Sequence, residues 1–117
     1  MTSASSPLAV VLTTVESVEQ ARTLAHALVE RRLAACVSII DVAASIYRWE
    51  GKIVDSPEKM LVIKTRPDAL DSLKSAISEL HPYTVPEIVV LAGEASEAYG
   101  NWVVAEVLGK APGGSRR

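Results

Sequence analysis

The order of apolar patterns predicts an α+β fold: a ferredoxin-like βαββαβ sandwich with an extended β-hairpin and an added C-terminal helix. Three observations carry this. Two stretches repeat at helical spacing, and short aliphatic, β-branched runs stand before and after them. A long extended segment folds back at Glu50-Gly51, and a third helical stretch follows the last strand. Two split βαβ units, interleaved, give a four-stranded antiparallel sheet with both helices on one face.

Leu8 to Leu12 is a continuous aliphatic run, short enough for a buried strand. Ser17 followed by Gln20 matches a capping box, and Glu19 lies in the first turn, where the helix dipole favours an anion. Val18, Ala21, Ala25 and Leu28, with Leu24 beside them, form one apolar stripe that closes at Arg31 and Arg32. Ala35 to Trp49 is extended and free of proline, and Gly51 suits the positive φ of a two-residue turn. The return strand runs through Lys52-Ile53-Val54, breaks at Ser56-Pro57 and resumes from Met60 to Thr65, with Pro57 at a bulge or an unpaired edge. Pro67 opens a second helix whose stripe is Leu70, Leu73, Ile77 and Leu80. Pro82 ends that helix near His81. Ile88 to Leu91 reads as a strand, and Ser96 opens a helix carrying Tyr99, Trp102, Val103 and Val107, with Gly109 as its stop. Residues 1–7 and 109–117, rich in Gly, Pro and Ser, read as disordered tails flanking one domain over 8–108.

The hairpin does not fit inside a monomer. Fifteen extended residues span about 50 Å at roughly 3.3 Å each, whereas a domain of this length measures about 35 Å across. The ribbon must bend or project, and its tip carries Tyr47 and Trp49 on one face. Aromatics on an open-edged ribbon invite pairing with another chain, so self-association is expected, with Tyr47 and Trp49 at the interface.

Composition narrows the function. With 12 basic and 14 acidic groups the formal net charge is −2, and two of the positives, Arg116 and Arg117, are the last two residues. Such a chain has no basic field for nucleic acid. No apolar run approaches a membrane span, so no membrane partner is expected either. Residues 1–7 carry no secretory pattern, and one cysteine, Cys36, fits a reducing compartment; the expected location is cytoplasmic. There is no phosphate loop, no His-Glu-x-x-His, no Gly-x-Ser-x-Gly and no Cys-x-x-Cys. Nothing pairs a nucleophile with a base, so neither an enzyme nor an organic cofactor is expected.

Of the two histidines, His26 reads as a structural or surface residue. The other opens His81-Pro-Tyr-Thr-Val-Pro-Glu87, where two prolines four residues apart stiffen a connection holding an imidazole, a phenol and a carboxylate. It is either a rigid joint, with His81 capping the last helical carbonyls, or a ligand or metal pocket using His81, Tyr83 and Glu87. Cys36 is either a small buried hydrophobe or a soft metal ligand. Lys64 interrupts an aliphatic strand, and stands at its exposed end or pairs with an acid such as Glu87. Arg48 and Glu50 read as solvated or interfacial.

Arg32-Leu-Ala-Ala-Cys36-Val, Ser45-Ile-Tyr-Arg-Trp-Glu-Gly-Lys52, Ile63-Lys-Thr65 and His81-Pro-Tyr-Thr-Val-Pro-Glu87, with Tyr99-x-x-Trp102 after them, resemble the CutA family of divalent-cation tolerance proteins across residues 8–108. The resemblance implies a homotrimer with hairpins pairing between subunits, a role in divalent-cation (copper) tolerance, and Cu²⁺ or another divalent metal as the ion bound. It would place the metal on His81, with Cys36 as the nearest thiol. The proposed family ligands include a first-strand cysteine and a histidine pair, and here those positions read Thr13 and Leu80-His81. The architecture is also similar to the PII signalling trimers, which implies a small-effector cleft using Lys64, Tyr83 and Glu87. A stable trimeric scaffold is the third reading.

Overall fold

A computed structural model describes residues 5–109. Residues 1–4 and 110–117, most of both expected tails, lie outside the described residues. The strands are β1 (Ser5–Val15), β2 (Cys36–Trp49), β3 (Lys52–Thr65) and β4 (Val89–Ser96); the helices are α1 (Val18–Glu30), α2 (Leu70–Leu80) and α3 (Glu97–Glu106). All strand pairs are antiparallel in the order β2-β3-β1-β4, the ferredoxin-like arrangement. β1 begins earlier than its composition suggested, because Ser5, Ser6 and Pro7 pair with Ser96, Ala95 and Glu94.

Local signals set the boundaries. The Ser17 hydroxyl accepts from the Gln20 N–H at 3.2 Å, and the Gln20 side chain accepts from the Ser17 N–H at 3.2 Å, completing the capping box of α1. Arg32, at φ 58°, takes the left-handed turn that ends this helix. Pro67–Ala69 forms a short 3₁₀ turn ahead of α2 rather than its first α-turn, and His81 stops α2 with extended backbone. The hairpin turns on Glu50 (φ 51°) and Gly51 (φ 80°).

β3 is not broken at Pro57. The register runs from Val42↔Glu58 to Ser45↔Ser56, so Ala43 and Ala44 together oppose Pro57. The missing N–H of Pro57 falls where a β-bulge in β2 already interrupts the ladder. The bulge also moves the alternation by one residue. Before it, even-numbered positions such as Ile40 and Val42 share a face with Met60 and Glu58; after it, Ser45, Tyr47 and Trp49 do.

α1 and α2 cover one face of the sheet. Val11, Leu24, Leu28, Leu61, Ile63, Leu73 and Ile77 form the core there. α3 packs on the other face at the Ser6–Leu8 end of β1, where Val103, Val107 and Ala69 enclose Leu8 and Ala35. Arg66 fastens the end of α3, donating from Nη1 to the Val104 and Val107 carbonyls at 3.0 and 3.2 Å while Asp68 holds its other nitrogens. Gly100 lies against Ser6 so closely that a Cβ there would collide with the Ser6 Cβ. Alanine is the better helix former, yet Gly100→Ala is expected to destabilise the fold by about 1–3 kcal/mol through overpacking. Urea denaturation will read the loss, and Ser6→Gly in the same chain should recover most of it.

Two features of the shape bear on function. The radius of gyration is 15.7 Å and the longest extent 50 Å, against about 13 Å for a compact chain of this length; the β2–β3 ribbon accounts for the excess. The rest of the second sheet face, including Val10, Leu12, Val62 and Met60, has no described helix over it. Ile40, Val89 and Leu91 on that face are 50, 42 and 48 % exposed.

Candidate functional site

The His81–Glu87 connection wraps around the end of β1 and reaches the outer half of the hairpin, between its bulge and its tip. His81 is its anchor. The ring is buried; Nε2 lies 2.8 Å from the Thr14 carbonyl oxygen, and Nδ1 accepts the Tyr83 N–H at 3.1 Å. A carbonyl only accepts, so the bonding pattern assigns the neutral tautomer with its proton on Nε2. Burial lowers the His81 pKa, against weaker opposing effects of the Thr14 hydrogen bond and the Glu58 charge. His81 closes α2 through its backbone N–H, which donates to the Ile77 carbonyl at 2.8 Å, while its ring ties the end of α2 to β1 and fixes the Tyr83 backbone.

That fixed backbone aims Tyr83. Its ring stands edge-on to His81, and its hydroxyl donates to Glu58 Oε2 at 2.8 Å. Burial, then the hydrogen bond to Glu58, raises the Tyr83 pKa, so the phenol stays protonated. Glu58 is 6 % exposed and forms no ion pair among the described residues. Beside this pair opens a cavity of about 760 Å³, lined among others by Thr14, Tyr47, Trp49, Glu58, Tyr83 and Glu87. The bulge is what brings Tyr47 and Trp49 to the side of the ribbon that Glu58 occupies.

The expected site residues divide. Tyr83 and Glu87 do share a cavity, and Tyr47 and Trp49, expected at a subunit interface, form its aromatic wall. Lys64 is not there. It pairs with Cys36 in the sheet, and its Nζ lies 3.5 Å from Ser38 Oγ and 3.9 Å from Cys36 Sγ. Within the subunit it forms no hydrogen bond or ion pair with Glu87 and does not line this cavity, and both its strand neighbours are paired. Glu58 was missed because a glutamate next to Pro57 and Lys59 reads as a solvated strand residue; only the folded loop above it shows its burial.

The metal reading meets obstacles within the subunit. Lys64, which pairs with Cys36, also pairs with Val10, while Thr14, the partner of His81, lies four residues further along β1. That spacing is about 13 Å of strand, so Cys36 and His81 do not converge. Both His81 ring nitrogens are engaged, and a lysine ammonium stands beside the Cys36 sulfur. No group of three or more His, Cys, Asp or Glu side chains is arranged to hold a metal among the described residues. The residues present do not fit a copper or other divalent site inside one subunit.

Residues 9–106 match the CutA1 divalent ion tolerance protein family. The divalent-cation tolerance protein CutA of Thermus thermophilus is 53 % identical over 95 residues, covering 80 % of this chain and 92 % of that protein. The chloroplastic CutA of Arabidopsis thaliana is 39 % identical over 98 residues, covering 83 % of this chain but 54 % of that longer protein. Among solved structures, CutA from Synechococcus elongatus superposes with a TM-score of 0.83 at 39 % identity, covering 88 % of this chain and 92 % of that one. The Thermus structure gives 0.80 at 50 % identity, covering 86 % and 98 %.

Proposed function

The chain belongs to the CutA1 divalent ion tolerance family, and from that premise we propose that it serves divalent-cation tolerance as a homotrimer acting through a small-molecule cleft. The cavity between the His81–Glu87 loop and the outer half of the hairpin carries this reading. It gathers a rigid loop, a buried carboxylate and two aromatic side chains, the composition of a ligand pocket rather than of a metal centre. In this respect the protein works in the manner of a PII-like effector trimer, in a reducing compartment such as the cytoplasm. The uncovered apolar sheet face, with Ile40, Val89 and Leu91, supports the trimer, since burying it removes apolar surface from water in each copy.

Direct copper binding at His81 and Cys36 is the competing reading. To offer a lone pair to the ion, His81 would have to give up the Tyr83 N–H or the Thr14 carbonyl. Native mass spectrometry with one equivalent of Cu²⁺ per subunit separates the two. The expected result is a trimer that holds no stoichiometric copper. A trimer with three copper ions, lost in His81→Ala, would replace the cleft reading with metal binding; a monomer would overturn the assembly.

A further inference from the structure

Resting on the homotrimer reading, we propose that the cavity is shared between copies: Glu58 of one subunit forms an ion pair with Lys64 of the partner subunit, and each cleft is complete only in the assembly. The reason lies in the rows of side chains across the sheet. On the face that the trimer buries, Cys36, Lys64, Val10 and Leu91 stand side by side. Ser38, Val62, Leu12 and Val89 form the next row, and Ile40, Met60 and Thr14 the third. Lys64 is the one charged side chain among them. Val42 and Glu58 follow at the edge of the bulge. From the bulge to the Cys36 end, these rows hold one base and one acid.

Neither has a charged partner among the described residues of its own subunit. The Lys64 ammonium has only the Ser38 hydroxyl and the Cys36 sulfur beside it, and Glu58 only the neutral Tyr83 hydroxyl. They cannot serve each other within one copy, because six residues along β3 separate them by about 20 Å. Assembly sharpens the difficulty. Covering Leu91 and Val10 also takes the ammonium in their row away from water, which is costly unless an anion accompanies it.

A closed ring of three resolves both charges. Threefold rotation makes the contact heterologous, so one patch of each copy meets a different patch of the next. A face with a cation at one end and a carboxylate at the other is complementary to itself in that head-to-tail sense, and it yields three identical pairs. Like meeting like would instead bury two ammonium groups together. Apolar faces alone can slide over each other, whereas a desolvated pair fixes their register. Glu58 lines the cavity beside Tyr83, so the partner subunit's Lys64 neutralises that carboxylate and a ligand there meets side chains of two copies.

The test is subunit exchange between light and isotopically heavy trimers, followed by native mass spectrometry. Lys64→Met and Glu58→Gln should each speed exchange at least tenfold, because each leaves the opposite charge buried alone. The double variant, which orphans neither charge, should exchange more slowly than either single one. Such rescue arises only between copies, given the separation within a chain. Because Glu58 is buried, Glu58→Asp gives a second cycle that keeps the charge but withdraws it. It should speed exchange in the natural chain and add nothing in the Lys64→Met background. Accelerations that multiply in both cycles, or single variants that exchange at the natural rate, overturn the pairing while the trimer stands. A natural chain that is monomeric removes the assembly and the pairing together.

Discussion

Leu91→Glu is expected to turn the proposed trimer into monomers. Leu91 is 48 % exposed in the subunit and stands opposite Val10 on the sheet face that no described helix covers, with Val89 and Ile40 on the same side. Burying a leucine contributes about 1.5–3 kcal/mol, and a closed trimer collects that contribution three times. A glutamate there forfeits it and leaves a carboxylate to be desolvated against Val10 and its neighbours, at a cost of several kcal/mol per copy. Light scattering coupled to size exclusion should show the mass falling to that of one 12.5 kDa chain. Val29→Glu, at a position 43 % exposed on the helix side, should leave the assembly intact. A Leu91→Glu protein that stays trimeric would mean that the copies meet elsewhere, with the hairpin tip the next surface to test.

The elements were legible because each announces itself locally. Ser17 and Gln20 mark the start of α1, Pro82 the end of α2, and Glu50-Gly51 the turn of the ribbon. The impossible length of β2 inside a compact domain pointed to a projecting hairpin. What stayed hidden were relations between segments far apart in sequence. Pro57 looks like a strand breaker until the two opposing alanines are seen to absorb it in a bulge. Lys64 interrupts an aliphatic run and so suggests an acid partner such as Glu87, but the register places it beside Cys36 and Ser38 instead. Glu58 carries no signal of its own, since its burial depends on a loop that arrives 25 residues later. The candidate site was therefore half readable: the stiff His81–Glu87 loop was visible, and the strand residues it covers were not.

His81 should prove more a structural latch than a ligand, and its removal should be among the most damaging single changes in the chain. His81→Ala strands two groups at once: the Thr14 carbonyl and the Tyr83 N–H, both now bonded to the ring. Each orphaned buried group costs about 1–3 kcal/mol, a large share of a small domain's stability. Tyr83 then loses its fixed backbone, so the hydroxyl bond to Glu58 loosens and the cleft loses its shape even where the fold survives. The same geometry gives a pH dependence with a definite sign. The His81 pKa lies below its unfolded value near 6.5, because burial disfavours the imidazolium and Nδ1 must stay unprotonated to accept from Tyr83. The unfolded chain therefore takes up the proton first. The latch contributes fully above about pH 6.5, and its contribution is lost as pH falls from there towards the folded pKa. Glu58, the charged group acting on the ring, moderates the shift without reversing it. Urea midpoints at pH 7.5 and 5.5 should fall for the natural chain and change less for His81→Gln, which cannot titrate. An identical fall in both proteins would assign the acid sensitivity to other groups and remove His81 from the account.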